Sequence, residues 1–308
     1  MKIAVMGSGG VGGYFGARLT DAGNDVSFIA RGAHLEAIRN EGLRVKSPFG
    51  DIHVTSVRVT NDPADVGPVD IVLFATKLYD TESAGEMCKP FIGDDTAVIS
   101  LLNGVDSEDQ LSQILGANHV AGGVARISAE LAAPGVVHHH SKFADIEFGE
   151  MDGRESDRLQ AFLEVATAAN ISAKLRNDIE AAIWEKFILL ASFSGVTTLT
   201  RLPAGPLREN PETWELLTLA ARETDAVARA RGVALADNAV ETIMGYLRKM
   251  PGAMKSSMLM DLENGRRLEL EWLSGAVSRL GHEAGVDTPV HRLILAALSP
   301  FKAGTPTA

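Results

Sequence analysis

Three sets of residues in this 308-residue chain have types and spacings that could do chemistry. The first is G-x-G-x-x-G: Gly7, Gly9 and Gly12, with Ser8, Gly10 and Val11 between them. The first glycine permits a tight turn, the second lets a pyrophosphate reach the backbone, and the third lets a helix pack on a strand. A helix that opens there offers N–H groups and the positive end of its dipole to phosphates. The second is Arg31, just beyond the apolar run Asp25–Ile29. A ribose 2′-hydroxyl is met at such a strand tip by an acid, and a 2′-phosphate by a cation. Asp25 lies at the wrong end of the run, whereas the Arg31 guanidinium suits a phosphate. The cofactor read from these residues is NADPH. The third is Lys186, in Ala-Ala-Ile-Trp-Glu-Lys-Phe-Ile-Leu-Leu from Ala181 to Leu190. A lysine surrounded by apolar residues must snorkel, pair with a neighbour such as Glu185, or sit in a cleft with a lowered pKa. A cleft ammonium would protonate the oxygen of a ketone being reduced by hydride.

Each set also has a plainer reading: a ligand-free glycine turn, a solvated loop arginine and a snorkelling lysine. Context favours the chemical one. Lys2–Met6 reads as a strand before the glycines, Gly12–Ala22 as a helix after them, and Asp25–Ile29 as a second strand. Further strands are expected at Leu43–Ser47, Ile52–Thr60, Val69–Ala75, Ala97–Leu102, Val120–Ile127 and Ala144–Phe148. Helices are expected at Ala33–Glu41, Thr81–Cys88 and Ser107–Leu115. Strands alternating with short helices specify a doubly wound, Rossmann-type parallel sheet covered on both faces. Lys77 and Asn103 follow two of these strands, at the carboxyl ends where such sheets bind ligands.

After Asn177 strand patterning stops, and helices are expected at Asp178–Leu190, Pro211–Arg231, Asp237–Lys249, Ser256–Glu263, Arg267–Ala284 and about Val290–Leu298. The fold class is thus α/β with a second, mostly α-helical domain, divided as 1–177 and 178–308. Ser256 and Ser257 read as a helix start, and Asn264-Gly265 as a helix stop. Ser299–Ala308 is expected to be loosely held. His138-His139-His140 invites a metal, but adjacent histidines on an extended segment face opposite ways, and no carboxylate or cysteine shows ligand spacing nearby; no metal is expected.

A net charge of −11 argues against nucleic acid. Residues 1–177 carry 15 basic and 24 acidic side chains, and the remainder 14 and 16. A polyanionic cofactor must therefore be bound locally, by backbone N–H groups and a few placed cations. The single cysteine, Cys88, excludes a disulfide within the chain. No leader and no run long enough to span a bilayer are read, so a cytoplasmic enzyme without membrane contact is expected.

Taken together, MGSGGVGGYFGARL, Arg31, Ala75-Thr76-Lys77, Leu102-Asn103-Gly104, Pro134-Gly135, Trp184-Glu185-Lys186, and Ser256-Ser257-Met258-Leu259 with Asp261 and Glu269 make the chain resemble the ketopantoate reductase (2-dehydropantoate 2-reductase) family over essentially its whole length. The resemblance implies a Rossmann-type domain, a helical domain, a cleft between them, and NADPH reduction of a 2-keto acid to a 2-hydroxy acid, as in pantothenate synthesis. It implies Lys186 as general acid, Glu269 ordering the site near cofactor or substrate, and Ser257 holding the substrate. Asn103 and Lys77 would touch cofactor and substrate, and Arg31 the 2′-phosphate. Asparagines that grip the hydroxylated substrate in the family are matched here by Leu190, Ser194 and Ala204, which suits a branched or aromatic 2-keto acid as the alternative substrate. A noncatalytic NADPH-binding sensor is a third reading. The apolar C-terminal helices are compatible with a homodimer.

Overall fold

The computed structural model describes residues 1–305 and divides into two compact units, residues 1–102 with 107–179, and residues 103–106 with 180 onward. The first is built on one mixed sheet. Its elements run β1 (Lys2–Met6), α1 (Gly10–Asp21), β2 (Asp25–Ile29), α2 (Gly32–Glu41), β3 (Leu43–Lys46), β4 (Ile52–Val54), β5 (Arg58–Thr60), β6 (Ile71–Phe74), α3 (Thr81–Met87), β7 (Ala97–Ser100), α4 (Ser107–Leu115), β8 (Val120–Ala133), β9 (Val136–Glu150), α5 (Asp157–Ala168) and β10 (Ser172–Leu175).

Strands β5-β2-β1-β6-β7-β8 lie side by side and parallel. The chain steps outward from β1 to β2, visits the opposite margin of the sheet with β3 and β4, comes back to β5 beside β2, and then crosses to the other flank of β1 with β6. That reversal puts a switch point between β1 and β6, where a crevice opens beyond the carboxyl ends. Every residue of β6 and β7 is buried, as are four of five in β1, which explains their unbroken apolar runs.

The other half of the sheet departs from the expected all-parallel pattern. β8 and β9 form a long antiparallel hairpin, and β3 pairs antiparallel with β4. The expected strand Ile52–Thr60 is two strands, one on β3 and the other on β2. Val120–Ile127 continues to Ala133, although Ser-Ala-Glu-Leu-Ala-Ala consists mainly of helix-favouring types; pairing with β9 overrides that preference. The hairpin turns at Pro134-Gly135, where Gly135 has φ +74°. β9 serves three partners: its start pairs with β3, its end with β10, and most of its length with β8. α5 and β10 carried no sequence expectation.

The second unit is helical: α6 (Ile179–Thr200), α7 (Ala204–Glu209), α8 (Pro211–Ala230), α9 (Ala239–Lys249), α10 (Ser257–Glu263), α11 (Ser274–Ala284) and α12 (Pro289–Leu298). α6 runs ten residues past its expected end, because Ala191, Phe193 and Val196 continue the buried surface. α10 stops at Asn264, and Gly265 has φ +64°, so Ser257 and Glu269 are not on one straight helix. The expected single helix from Arg267 is a short 3-10 turn, Leu270–Trp272, followed by α11.

Ser299–Phe301 forms another 3-10 turn, Lys302 donates to Glu271, and the Leu268 amide donates to the Lys302 carbonyl. This corrects the expectation of a loose C-terminus up to Thr305; residues 306–308 lie outside the described part. Among the described residues no helix is long and apolar enough to cross a membrane.

α12 is tied to α8 by two polar side chains, the half-buried Glu223 and the buried His291. Glu223 accepts the first amides of α12, from Val290 and His291, at 2.8 and 3.0 Å, an anion on a helix N-terminus. The fully buried His291 donates from Nε2 to the Ala220 carbonyl at 2.9 Å, while its Nδ1 has no partner among the described residues. Burial pushes its pKa down to about 4. The fold therefore holds His291 neutral, and the unfolded chain binds its proton first, near the ordinary value of about 6.5. Its contribution is complete above that value and is lost as pH falls toward 4. The buried Glu108, pushed up to about 7 by desolvation, works in the opposite sense, so the comparison must be differential. The stability lead of wild type over His291→Gln, read from urea unfolding, should shrink by up to about 1.4 kcal/mol per pH unit between those limits. A lead that is constant with pH would show that His291 is not held neutral by the fold.

Candidate functional site

The glycine-rich turn joins β1 to α1, and each glycine is required for a different local reason. Gly7 has φ +94°, and a Cβ there would lie 2.7 Å from the Ala75 carbonyl oxygen at the end of β6. A Cβ on Gly12 would lie 2.1 Å from the Gly7 carbonyl oxygen and 2.9 Å from Val5, so only glycine lets α1 settle on β1. A Cβ on Gly9 would meet nothing within 4 Å among the described residues. Gly9 is also the N-cap of α1, with no capping side chain, and the first turn carries no acid. Open backbone at Gly9 and uncapped amides at a helix start fit a dinucleotide pyrophosphate. Gly10 is closed from another side: its Cβ would meet the Ala129 carbonyl of β8 at 2.4 Å.

Neighbouring side chains fix this turn from within. The buried Ser8 hydroxyl donates to the Ile29 carbonyl at 3.2 Å, so any contact of Ser8 with a phosphate is through its amide. Val11 packs against the core. His34, which sequence reasoning passed over, donates from Nε2 to the Ser8 carbonyl at 2.7 Å and accepts the Gly135 amide on Nδ1 at 2.9 Å. These bonds set its tautomer, and burial lowers its pKa. No motif marks such a residue, because its role exists only after the hairpin turn reaches the glycine turn.

Arg31 stands at the tip of β2 as the N-cap of α2, with its side chain 85% exposed. It pairs with Asp80 at 3.0 Å, just after Lys77, whose carbonyl accepts the Asp80 amide. The glycine turn, the β2 tip and the β6 landing are thus neighbours around the switch point. An exposed pair of this kind contributes only about 0–1 kcal/mol, so Arg31 can exchange Asp80 for a stronger anion at little cost. Lys77 itself is exposed.

In the second unit, Lys186 of α6 is half-buried, beside the buried Trp184 and Phe187. Its Nζ donates to Oδ1 of Asn103 at 2.8 Å, although 83 residues separate the two. The short segment carrying Asn103 is anchored by Asp106, which accepts from Arg279 of α11. Lys186, Leu190 and Ser194 are spaced at i, i+4 and i+8, one stripe of α6. Ser194 and Ala204 are buried and Leu190 half-buried.

The two serines divide their work. Ser256 is buried, accepts the Leu259 amide as N-cap of α10 and meets the Thr197 hydroxyl at 2.7 Å, whereas Ser257 is exposed. Glu269 is 7% exposed and precedes the Leu270–Trp272 turn. Lys186 and Asn103 are in direct contact, and Ser257 and Glu269 belong to the same unit.

A mixed sheet whose parallel half carries a glycine-rich first turn at its switch point, followed by a helical unit presenting a half-buried lysine, defines a nicotinamide-dependent oxidoreductase of two-unit construction. The model of the family described as ketopantoate reductase PanE/ApbA matches residues 3–153, and that of its C-terminal domain residues 178–302. The 2-dehydropantoate 2-reductase of Archaeoglobus fulgidus is 35% identical over 304 residues, covering 98% of each chain. That of Mesorhizobium japonicum is 32% identical, covering 96% of each. A crystal structure of a PanE/ApbA family ketopantoate reductase from Ralstonia eutropha superposes with a TM-score of 0.90 at 33% identity, covering 98% of both chains. The chain belongs to the ketopantoate reductase family.

Gly12→Ala and Gly9→Ala separate packing from ligand access. Gly12→Ala should lower the melting temperature of the ligand-free protein, since overpacking costs about 1–3 kcal/mol. Gly9→Ala should melt like wild type yet need roughly tenfold more cofactor for half-saturation, as its methyl fills the space a pyrophosphate would take. The reverse pattern would place the ligand elsewhere.

Proposed function

We propose that this protein catalyses NADPH-dependent reduction of a 2-keto acid to a 2-hydroxy acid, with 2-dehydropantoate as the leading substrate and pantoate as product. The observation that carries the reading is the Lys186–Asn103 hydrogen bond in a chain with a complete glycine-rich turn. The nicotinamide, when bound, supplies the hydride to the carbonyl carbon. Lys186 supplies the proton to the carbonyl oxygen as charge develops there. Asn103 holds the Lys186 ammonium at a fixed position, which limits the reorganisation needed at the moment of transfer. Ser257 takes the substrate's carboxylate or hydroxyl side, and Glu269 orders the site near cofactor and substrate. Glycines 7, 9, 10 and 12, with the amides of Ser8 and Val11, hold the pyrophosphate, while Arg31 takes the 2′-phosphate; Lys77 and Asn103 make further cofactor contacts.

Leu190 favours a second reading for the substrate. It sits one turn beyond Lys186, where an apolar side chain gives a hydroxyl no partner. A branched or aromatic 2-keto acid would suit that stripe better than 2-dehydropantoate. Both substrates share the mechanism.

NADPH oxidation should be followed with 2-dehydropantoate beside a panel of branched and aromatic 2-keto acids. At least one 2-keto acid should be reduced, and Lys186→Ala should lose roughly 10²-fold or more in kcat while still binding NADPH. Near-normal turnover in that variant would remove Lys186 as the acid, and no turnover of any 2-keto acid by wild type would leave a noncatalytic NADPH sensor. The relative kcat/KM values decide between the two substrate readings.

Cofactor choice has its own test. Arg31→Ala should raise KM for NADPH by about tenfold or more, the loss expected when a hydrogen bond to a charged group goes, and should leave KM for NADH nearly unchanged. Equal effects on both cofactors would show that Arg31 does not read the phosphate.

A further inference from the structure

The β8–β9 hairpin carries a cluster that the reductase chemistry leaves unused. Glu130 stands directly opposite His138 in the hairpin register. His140 lies two residues further along β9, hence on the same face as His138. A Glu130 carboxylate oxygen is 3.0 Å from Nε2 of His140, and the His138 and His140 ring centroids are 4.0 Å apart. One ligand atom from each of the three residues lies within 4.8 Å of the other two. His139, between them, faces the other way; it is buried and bonds to Ser47, Ser141 and the Phe143 carbonyl. As expected of an extended segment, His139 faces away from its two neighbours. What sequence spacing did not reveal is that the opposite strand brings a carboxylate, Glu130, beside the alternate pair His138 and His140.

We infer that Glu130, His138 and His140 form a binding site for a divalent transition-metal cation of the Zn²⁺ type, which pins the hairpin in register. Two imidazoles and a carboxylate suit zinc, nickel or copper better than the harder magnesium or calcium. Tetrahedral coordination at about 2.0–2.1 Å needs ligand atoms about 3.4 Å apart. The Glu130 and His140 side chains are 46% and 43% exposed, so rotation about their side-chain torsions can close the remaining gap. Water would complete the coordination.

Its place in the ladder supplies a purpose. Register shifts lie between Ile127 and Ala129 and between Leu131 and Ala133. The Glu130–His138 pair sits between these two irregularities, where strand pairing is least constrained by regular hydrogen bonding. A cation bridging the strands there would remove that latitude. The Ala129 carbonyl, one residue away, is the atom that packs against Gly10 of the glycine-rich turn.

The test uses untagged full-length protein, stripped with a chelator, dialysed and titrated with ZnCl₂ by calorimetry. One Zn²⁺ per chain should bind, and thermal unfolding should shift upward with zinc, as mass action requires for a ligand of the folded state. His138→Ala and His140→Ala should each weaken zinc binding by roughly tenfold or more, and Glu130→Gln should weaken it in the same direction. In the absence of zinc, His140→Ala should keep the wild-type circular dichroism and melting temperature, since its side chain is at the surface. Absence of zinc binding, or binding unchanged in both histidine variants, would overturn the site and leave Glu130–His140 as an ordinary carboxylate–imidazole contact.

Discussion

The backbone contact between Gly12 and Gly7 governs the first unit. With no side chain at residue 12, α1 descends until its backbone meets the Gly7 carbonyl, and any Cβ there would be forced to 2.1 Å from that oxygen. That approach aims the uncapped start of α1 across the mouth of the β1–β6 switch point. In a chain of net charge −11, long-range attraction cannot gather an anionic ligand. Short-range amides and a helix dipole must do the work, and they act only if the helix is this close. Ser8 and His34 extend the same constraint outward, tying the turn to β2 on one side and to the hairpin turn on the other.

The second unit solves a different problem. α6 is apolar on nearly every side, so a lysine on it is costly unless its ammonium is bonded. Asn103 meets that need from a segment held by the Asp106–Arg279 pair. The lysine's position is thus set from two directions, by its helix and by its acceptor. Leu190 and Ser194 follow it one and two turns further along the same stripe of α6.

Much of this is legible in the sequence. The glycine spacing, the absence of an acid at the β2 tip and the lysine in an apolar helix are local patterns, and each element stands where those patterns put it. What escaped reading depends on contacts between distant segments. The hairpin extension required β9 to override the helix preference of Ser128–Ala133. His34 has meaning only beside Gly135, and Glu130 joins the histidines only across a ladder whose register includes two irregularities. α6 outruns its expected end, and within the extension Ser192 and Thr197 turn their hydroxyls back onto carbonyls one turn earlier.

β9 has a consequence for biosynthesis. One strand of fifteen residues joins β3 from near the start of the chain, β8 immediately before it and β10 some twenty-five residues later. Until residue 175 has left the ribosome, the far end of β9 presents an unpaired parallel edge. Non-local parallel pairing is slow to form, so the nascent first unit passes through an interval with an open sheet margin.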